Sequence, residues 1–115
     1  MNTVDIDGID MPEAMARLAG NYKLLVRVVR ELIKMFDQQA SELLACIQSG
    51  KFDETYIKAH SFKGIAASIV ARAAYEATRV IEGGCEQKSV VQCEAGFRDL
   101  SLAIEKMKVS LPAES

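Results

Sequence analysis

The fold is decided by residues 21–50, which read NYKLLVRVVRELIKMFDQQASELLACIQSG. Apolar side chains recur in this segment at intervals of three and four, the spacing of one face of an α-helix. They are Leu24, Leu25, Val28, Val29, Leu32, Ile33, Phe36, Ala40, Leu43, Leu44 and Ile47. Asn21 is suited to cap the N-terminus of such a helix, and Gly50 ends the pattern. The segment therefore predicts a long amphipathic helix over residues 22–49.

A short helix is predicted before this segment, over residues 11–19. Asp10 and Glu13 stand three residues apart, as in a capping box, and Pro12 lies in the first turn, where its missing N–H breaks no helical hydrogen bond. Gly20 is expected to end this helix.

Three further helices are predicted after it, over residues 53–69, 71–83 and 90–110. Asp53 is expected to cap the third helix. Since no glycine or proline separates the third helix from the fourth, the boundary between them rests on no sharp sequence signal. Gly83 and Gly84 are expected to end the fourth helix. Joined by short connections, these elements predict an all-α fold, an antiparallel four-helix bundle with an additional short N-terminal helix.

The composition limits the classes of protein to which the chain can belong. Its 115 residues, half of them hydrophobic, predict a single domain over residues 1–115. A formal charge of −2 gives no field suited to a nucleic acid. The chain has no apolar run of about 18 residues and no secretory signal profile at its start. We therefore expect a cytoplasmic protein with neither membrane nor nucleic-acid partners.

The three cysteines, Cys46, Cys85 and Cys93, indicate neither disulfides nor zinc. Their number is odd and none stands in Cys-x-x-Cys spacing, so we expect reduced, packed thiols. One histidine and scattered carboxylates make no ligand cluster, so no metal site is predicted.

His60 is the only histidine in the chain, and the third predicted helix places it away from the core. The residues that share the apolar direction of this helix are Ala59, Phe62, Ala66, Ile69 and Ala73. At about 100° per residue, His60 points about 130° from that direction and is expected to face solvent. Gly64, Ala67 and Ala71 fall within about 40° of His60, and Lys63 lies about 60° to its other side. The imidazole is thus surrounded by small side chains and one cation.

This arrangement predicts an exposed phosphoryl acceptor and donor. A glycine inside a helix costs about 1 kcal/mol relative to alanine, so Gly64 indicates that close approach to the backbone matters here. A neutral imidazole is a nucleophile, and the dianion that it would carry once phosphorylated can be stabilised by Lys63. Taken singly, an exposed histidine, a surface lysine and a mid-helix glycine are all ordinary, and only their combination favours function.

The hexapeptide Ala59-His60-Ser61-Phe62-Lys63-Gly64 resembles the Ala-His-x-Leu-Lys-Gly signature of histidine-containing phosphotransfer (HPt) domains of multistep phosphorelays. The resemblance covers about residues 8–82, and Ile81-Glu82 stands where a Leu-Glu pair commonly closes the fourth helix of the family. Two positions depart from the pattern: Val70 replaces a frequent glycine between the third and fourth helices, and Ile65 replaces a small or polar residue.

The resemblance implies a phosphocarrier of two-component signal transduction. His60 would accept a phosphoryl group from a receiver-domain aspartate and pass it to another response-regulator receiver. Lys63 would support the phosphoryl group electrostatically, while Gly64 and Ala67 would leave room for the receiver. The chain has no phosphate-cradling loop, so we expect neither an ATP site nor enzymatic kinase activity. The expected partners are receiver domains, which bring Mg²⁺, and a hybrid sensor histidine kinase; the protein itself is expected to be a monomer without a cofactor.

Three other interpretations remain open at the level of sequence. The first is a non-phosphorylated adaptor or inhibitor on the same fold, which would bind a kinase or a receiver domain. The second is the phosphoacceptor domain of a chemotaxis-type kinase, which shares the His-x-x-Lys-Gly pattern and continues into further domains. The third is a purely structural helical bundle.

Overall fold

The computed structural model describes residues 3–113, and within that range the chain forms five helices and no strand. The helices are α1 (Met11–Arg17), α2 (Tyr22–Gln48), α3 (Phe52–Ser68), α4 (Arg72–Glu86) and α5 (Val90–Ser110). An all-α fold, with these five helices in the predicted order, is therefore confirmed. No helix in the described part of the chain is long and apolar enough to cross a membrane.

Two of the predicted helix starts are confirmed by their capping hydrogen bonds, and one is wrong. Asp10 accepts from the backbone N–H of Glu13 at 3.1 Å, and Asn21 accepts from that of Leu24 at 3.0 Å. Asp53, in contrast, does not cap α3, which begins one residue earlier behind an N-cap that makes no side-chain bond. It lies in the first turn, where its negative charge still complements the helix dipole.

The prediction that Gly83 and Gly84 end α4 is wrong, because the helix continues through both to Glu86. The structure gives the reason. A Cβ on Gly84 would lie 2.7 Å from Cys93 Sγ and 2.8 Å from the Cys93 backbone nitrogen on α5. The glycine serves close packing between two helices and does not act as a stop signal.

The break between α3 and α4 occurs at Val70, which adopts a left-handed backbone with a φ of 54°. A β-branched residue is strained in this region, so tertiary contacts have to hold it there. The segment before α1 supplies them: the backbone N–H of Asp10 donates to the Val70 carbonyl, and that of Arg72 donates to the Gly8 carbonyl, both at 3.0 Å. The break thus depends on residues more than 50 positions away in the sequence.

This break corrects the positions of two residues, Ala71 and Ala73, whose directions were predicted as if the third helix continued through them. Ala71 lies beyond Val70, is 1% exposed and belongs to the start of α4, so it does not share the face of His60. Ala73 is exposed on α4 and does not contribute to the core. The four other residues assigned to the buried side of α3 are buried.

The core lies between the four longer helices. Helices α2 and α4 each contact both α3 and α5, whereas α1 packs against α2. Phe36 of α2 lies 5.9 Å from Phe62 of α3 and 5.8 Å from Phe97 of α5, measured between ring centroids. This aromatic group joins three helices, and it leaves the opposite side of α3 exposed.

Candidate functional site

His60 lies on the exposed side of α3, with 63% of its side chain accessible. Its neighbours in sequence, Ala59 and Phe62, are both fully buried against the core. The 3.6-residue period of the helix therefore places the imidazole at the surface while anchoring its backbone from behind. This exposed position is the one that the helical angles predicted.

Glu82 of α4 joins His60 and Lys63 into one cluster. Its Oε2 lies 2.9 Å from His60 Nδ1, and its Oε1 accepts a hydrogen bond from Lys63 Nζ at 2.7 Å. Only 5% of Glu82 is exposed. A buried carboxylate is costly unless it is paired and hydrogen-bonded, and here both oxygens have a charged or polar partner.

The contact with Glu82 fixes which nitrogen of His60 carries the proton. An ionised carboxylate only accepts hydrogen bonds, so Nδ1 carries a hydrogen and donates it to Glu82. In the neutral ring the lone pair then belongs to Nε2, which has no hydrogen-bond partner among residues 3–113. The site therefore presents an oriented nucleophilic nitrogen to solvent.

Lys63 is held beside this ring as a permanent cation. Its hydrogen bond to Glu82 raises the pKa of the ammonium group above the ordinary lysine value, although partial burial opposes this effect. Because the pKa is raised in the folded state, the stability that this pairing contributes is complete at neutral pH. It is lost only as the pH rises above about 10.4 and through the folded-state pKa.

Tyr56, one turn before His60, lies on one side of the imidazole. The two rings are nearly parallel, with an interplanar angle of 11° and centroids 6.1 Å apart. Tyr56 is half-buried and also packs against the edge of the core. Together with Glu82 it limits the orientations that the imidazole can adopt.

The two small residues expected to keep the site open differ in their surroundings. A Cβ on Gly64 would have nothing within 4 Å apart from its own helix, so the surface there is open. Ala67 is half-buried, and its carbonyl accepts a hydrogen bond from Arg17 Nη1 of α1 at 2.8 Å. It lines a pocket of about 330 Å³ together with Arg17 and Tyr75. A partner protein can therefore approach the helix surface freely at Gly64, whereas Arg17 partly covers the surface at Ala67.

Sequence reasoning missed the role of Glu82. The residue was noted only as part of a resemblance. It lies about 100° from the direction shared by the predicted apolar residues of the fourth helix, so the helix period gave no sign that it would be buried. Its burial beside His60 and Lys63 follows from the packing of α3 against α4.

Comparison of the chain with models of known protein families, with curated protein sequences and with solved structures found no match. Within residues 3–113 there is also no group of three or more His, Cys, Asp or Glu side chains that could hold a metal ion. The function of the protein is therefore inferred from the chemistry of His60, Lys63 and Glu82.

Proposed function

We propose that the protein is a phosphorelay intermediate of the histidine-containing phosphotransfer type, which carries a phosphoryl group on His60 between receiver domains in the cytoplasm. One observation carries the proposal: Glu82 binds Nδ1 of an exposed imidazole, which leaves the Nε2 lone pair facing solvent beside the Lys63 cation. An exposed and oriented ring nitrogen is what a phosphoryl acceptor requires.

The transfer that fits this geometry is an in-line displacement at phosphorus. The Nε2 lone pair forms the N–P bond while the bond from phosphorus to the receiver's aspartate oxygen breaks, and the carboxylate leaves with the electron pair. The ring gains positive charge, which the Glu82 carboxylate stabilises through Nδ1–H. Lys63, held on the same carboxylate as His60, offers a cation for the phosphoryl oxygens, and the receiver would supply Mg²⁺. The reverse step passes the group to a second receiver.

An antiparallel four-helix bundle is the scaffold that we propose for this site. Contacts between α4 and α5 pair Gly84 with Cys93 and Ile81 with Gly96, so residue numbers fall on one helix as they rise on the other. Between α2 and α3, Glu42 pairs with Lys58 and Cys46 with Glu54 in the same sense. Opposed directions in neighbouring helices support the up-and-down topology.

The proposal is tested by incubating the protein with phosphorylated receiver domains and Mg²⁺. We expect phosphate that is labile in acid and stable in base, as a phosphoramidate is, with the N–P bond at Nε2 as determined by NMR. Labelling with the small phosphoryl donor phosphoramidate, without any receiver, measures the reactivity of His60 alone. If neither donor labels the protein, His60 is not a phosphoryl acceptor. If phosphoramidate labels it but no receiver of its organism does, the protein is not a relay.

Glu82→Gln is expected to slow transfer from the receiver by about tenfold to a hundredfold. The amide can still accept from Nδ1–H, but it no longer stabilises the positive charge that develops on the ring. The pKa of Lys63 should also fall toward its ordinary value, because its anionic partner is gone. Single-turnover kinetics and NMR titration of Lys63 measure the two effects. Unchanged kinetics together with a lowered Lys63 pKa would show that Glu82 has only a structural role.

Gly64→Leu is expected to block access of the receiver without disturbing the fold. Because the space beyond Gly64 is open, the added side chain projects from α3 beside His60. Transfer from the receiver should fall at least about tenfold, whereas labelling by phosphoramidate should be nearly unchanged. Equal loss with both donors would mean that the leucine disturbs the imidazole itself and not the docking of a partner.

A further inference from the structure

The outer side of α5 carries a line of residues with no partner helix among the described elements. It consists of Val91, Ala95, Arg98, Leu102, Glu105 and Val109, which we call the α5 line. The steps between its members are four, three, four, three and four, and all six directions fall within about 40° of a common direction. This is the heptad spacing of a helix that packs lengthwise against another helix.

Five of the six members of the α5 line are exposed and Ala95 is half-buried, although four of the six are apolar. Val91 is 77% exposed, Leu102 55% and Val109 79%, and these are three of the five large hydrophobic residues exposed in the described chain. The buried side of α5, which includes Leu100 and Ile104, points in the opposite direction. Single exposed valines are common on protein surfaces, but apolar residues interrupted by two opposite charges at heptad spacing are typical of a helix that packs against another helix.

We propose that the α5 line binds the α5 line of a second copy of this chain in an antiparallel pair, with a two-fold axis that crosses the line between Arg98 and Leu102. This pairing sets Val91 against Val109 of the second copy at both ends of the contact. At its centre, Arg98 of each copy lies beside Leu102 and Glu105 of the other. The same patch thus meets itself, with valine opposite valine at both ends and opposite charges adjacent near the centre, as an isologous interface requires.

The charges of Arg98 and Glu105 favour a second copy as the partner and an antiparallel arrangement of the two helices. In a parallel pair, Arg98 would face Arg98 and Glu105 would face Glu105, so both central layers would be repulsive. In the antiparallel pair, each arginine has a glutamate of the other copy within reach. The two-fold axis makes both ion pairs at once, and this self-complementarity favours a second copy over an unrelated helix.

The size of the surface predicts a reversible dimer. From Val91 to Val109 the line is about 27 Å long, and a shallow groove of about 270 Å³ between α4 and α5, lined by Ala77, Val80 and Leu102, flanks its centre. A single helix pair covers less than the roughly 800 Å² per partner of a standard interface, so we expect a micromolar or weaker dissociation constant. The dimer replaces the monomer expected from the sequence.

Such a dimer leaves the relay site accessible. Helix α5 contacts α2 and α4, which also flank α3, so the outer side of α5 faces away from the outer side of α3. Each copy therefore presents its own His60 at an end of the dimer remote from the two-fold axis.

Sedimentation over protein concentrations from about 1 µM to 1 mM tests the proposal. The mass should rise from 12.6 kDa toward twice that value. Arg98→Glu and Glu105→Arg should each weaken dimerisation at least about tenfold, because each creates like-charge contacts across the axis. The double variant should recover wild-type dimerisation within about threefold. Ile57→Lys, which changes an exposed hydrophobe on α3, is the control and should dimerise normally.

A cross-linking experiment tests the direction of the pair. A mixture of Val91→Cys and Val109→Cys proteins should be joined by a short bismaleimide, whereas each variant alone should be joined poorly. The native thiols are buried, and burial raises the pKa of Cys85 to about 12, so they react slowly. A chain that stays monomeric up to about 1 mM, a double variant that does not recover, or efficient joining of Val91→Cys with itself each overturns the proposal. None of these measurements depends on phosphoryl transfer.

Discussion

His60→Gln protein is expected to acquire no phosphoryl group from any receiver domain that labels the wild type. The glutamine amide has no nucleophilic lone pair at nitrogen, so transfer should fall by at least about a thousandfold, to background. The substitution leaves the fold intact, because the His60 side chain is largely exposed and an amide N–H can replace Nδ1–H as a donor to Glu82. Stability should change by less than about 1 kcal/mol.

The matched control is Ser61→Ala, which removes the hydroxyl next to His60 in sequence. Ser61 is exposed and donates only to the Ile57 carbonyl of its own helix, at 3.3 Å. This variant should be labelled at the wild-type rate, with the same acid lability. Label that persists in His60→Gln, or that disappears in Ser61→Ala, would assign the phosphate to another residue and refute the role of His60.

Gly84→Ala is expected to give the largest loss of stability among the single-methyl changes considered. In an exposed helix, glycine to alanine stabilises by up to about 1 kcal/mol. At Gly84 the added Cβ would meet both Sγ and the backbone nitrogen of Cys93 at distances below 3 Å, so α4 and α5 must move apart. We expect a net loss of about 2 kcal/mol and a melting temperature lower by roughly 8 °C.

Gly64→Ala provides the opposite outcome from the same chemical change. It also lies inside a helix, but its added Cβ would meet nothing outside that helix within 4 Å. It should therefore gain up to about 1 kcal/mol. Urea unfolding with unchanged slopes measures both values. A Gly84→Ala protein as stable as the wild type would show that the contact between α4 and α5 is looser than the structure indicates.

Those parts of the fold that depend only on short segments of sequence could be predicted. The apolar spacing of residues 22–49 and the caps Asp10 and Asn21 are properties of short segments, and the structure confirms the helices that they predict. The end of α4 was not predictable in this way. Glycine at position 84 has the same local meaning whether it stops a helix or admits a neighbouring one, and only the position of α5 distinguishes the two.

In the candidate site, too, only the features that depend on a single helix could be predicted. The exposure of His60 follows from its angle to the buried residues of α3, so the sequence sufficed. Ala71 was assigned to the same face because the helical angles were continued past residue 69, the predicted end of the third helix, and the break at Val70 has no sharp local signal. Glu82 is 22 positions from His60, and no periodicity within one helix could show that the two meet.

The sequence by itself determined five helices in order, an open histidine on the third, and a lysine and a glycine within one turn of it. These features follow from the 3.6-residue period, which relates only near neighbours. The tertiary structure alone decided that Glu82 binds His60 Nδ1 and Lys63, and hence which imidazole nitrogen faces solvent. That difference exists because a hydrogen bond between two helices depends on how they pack, and packing is set by contacts across the whole core.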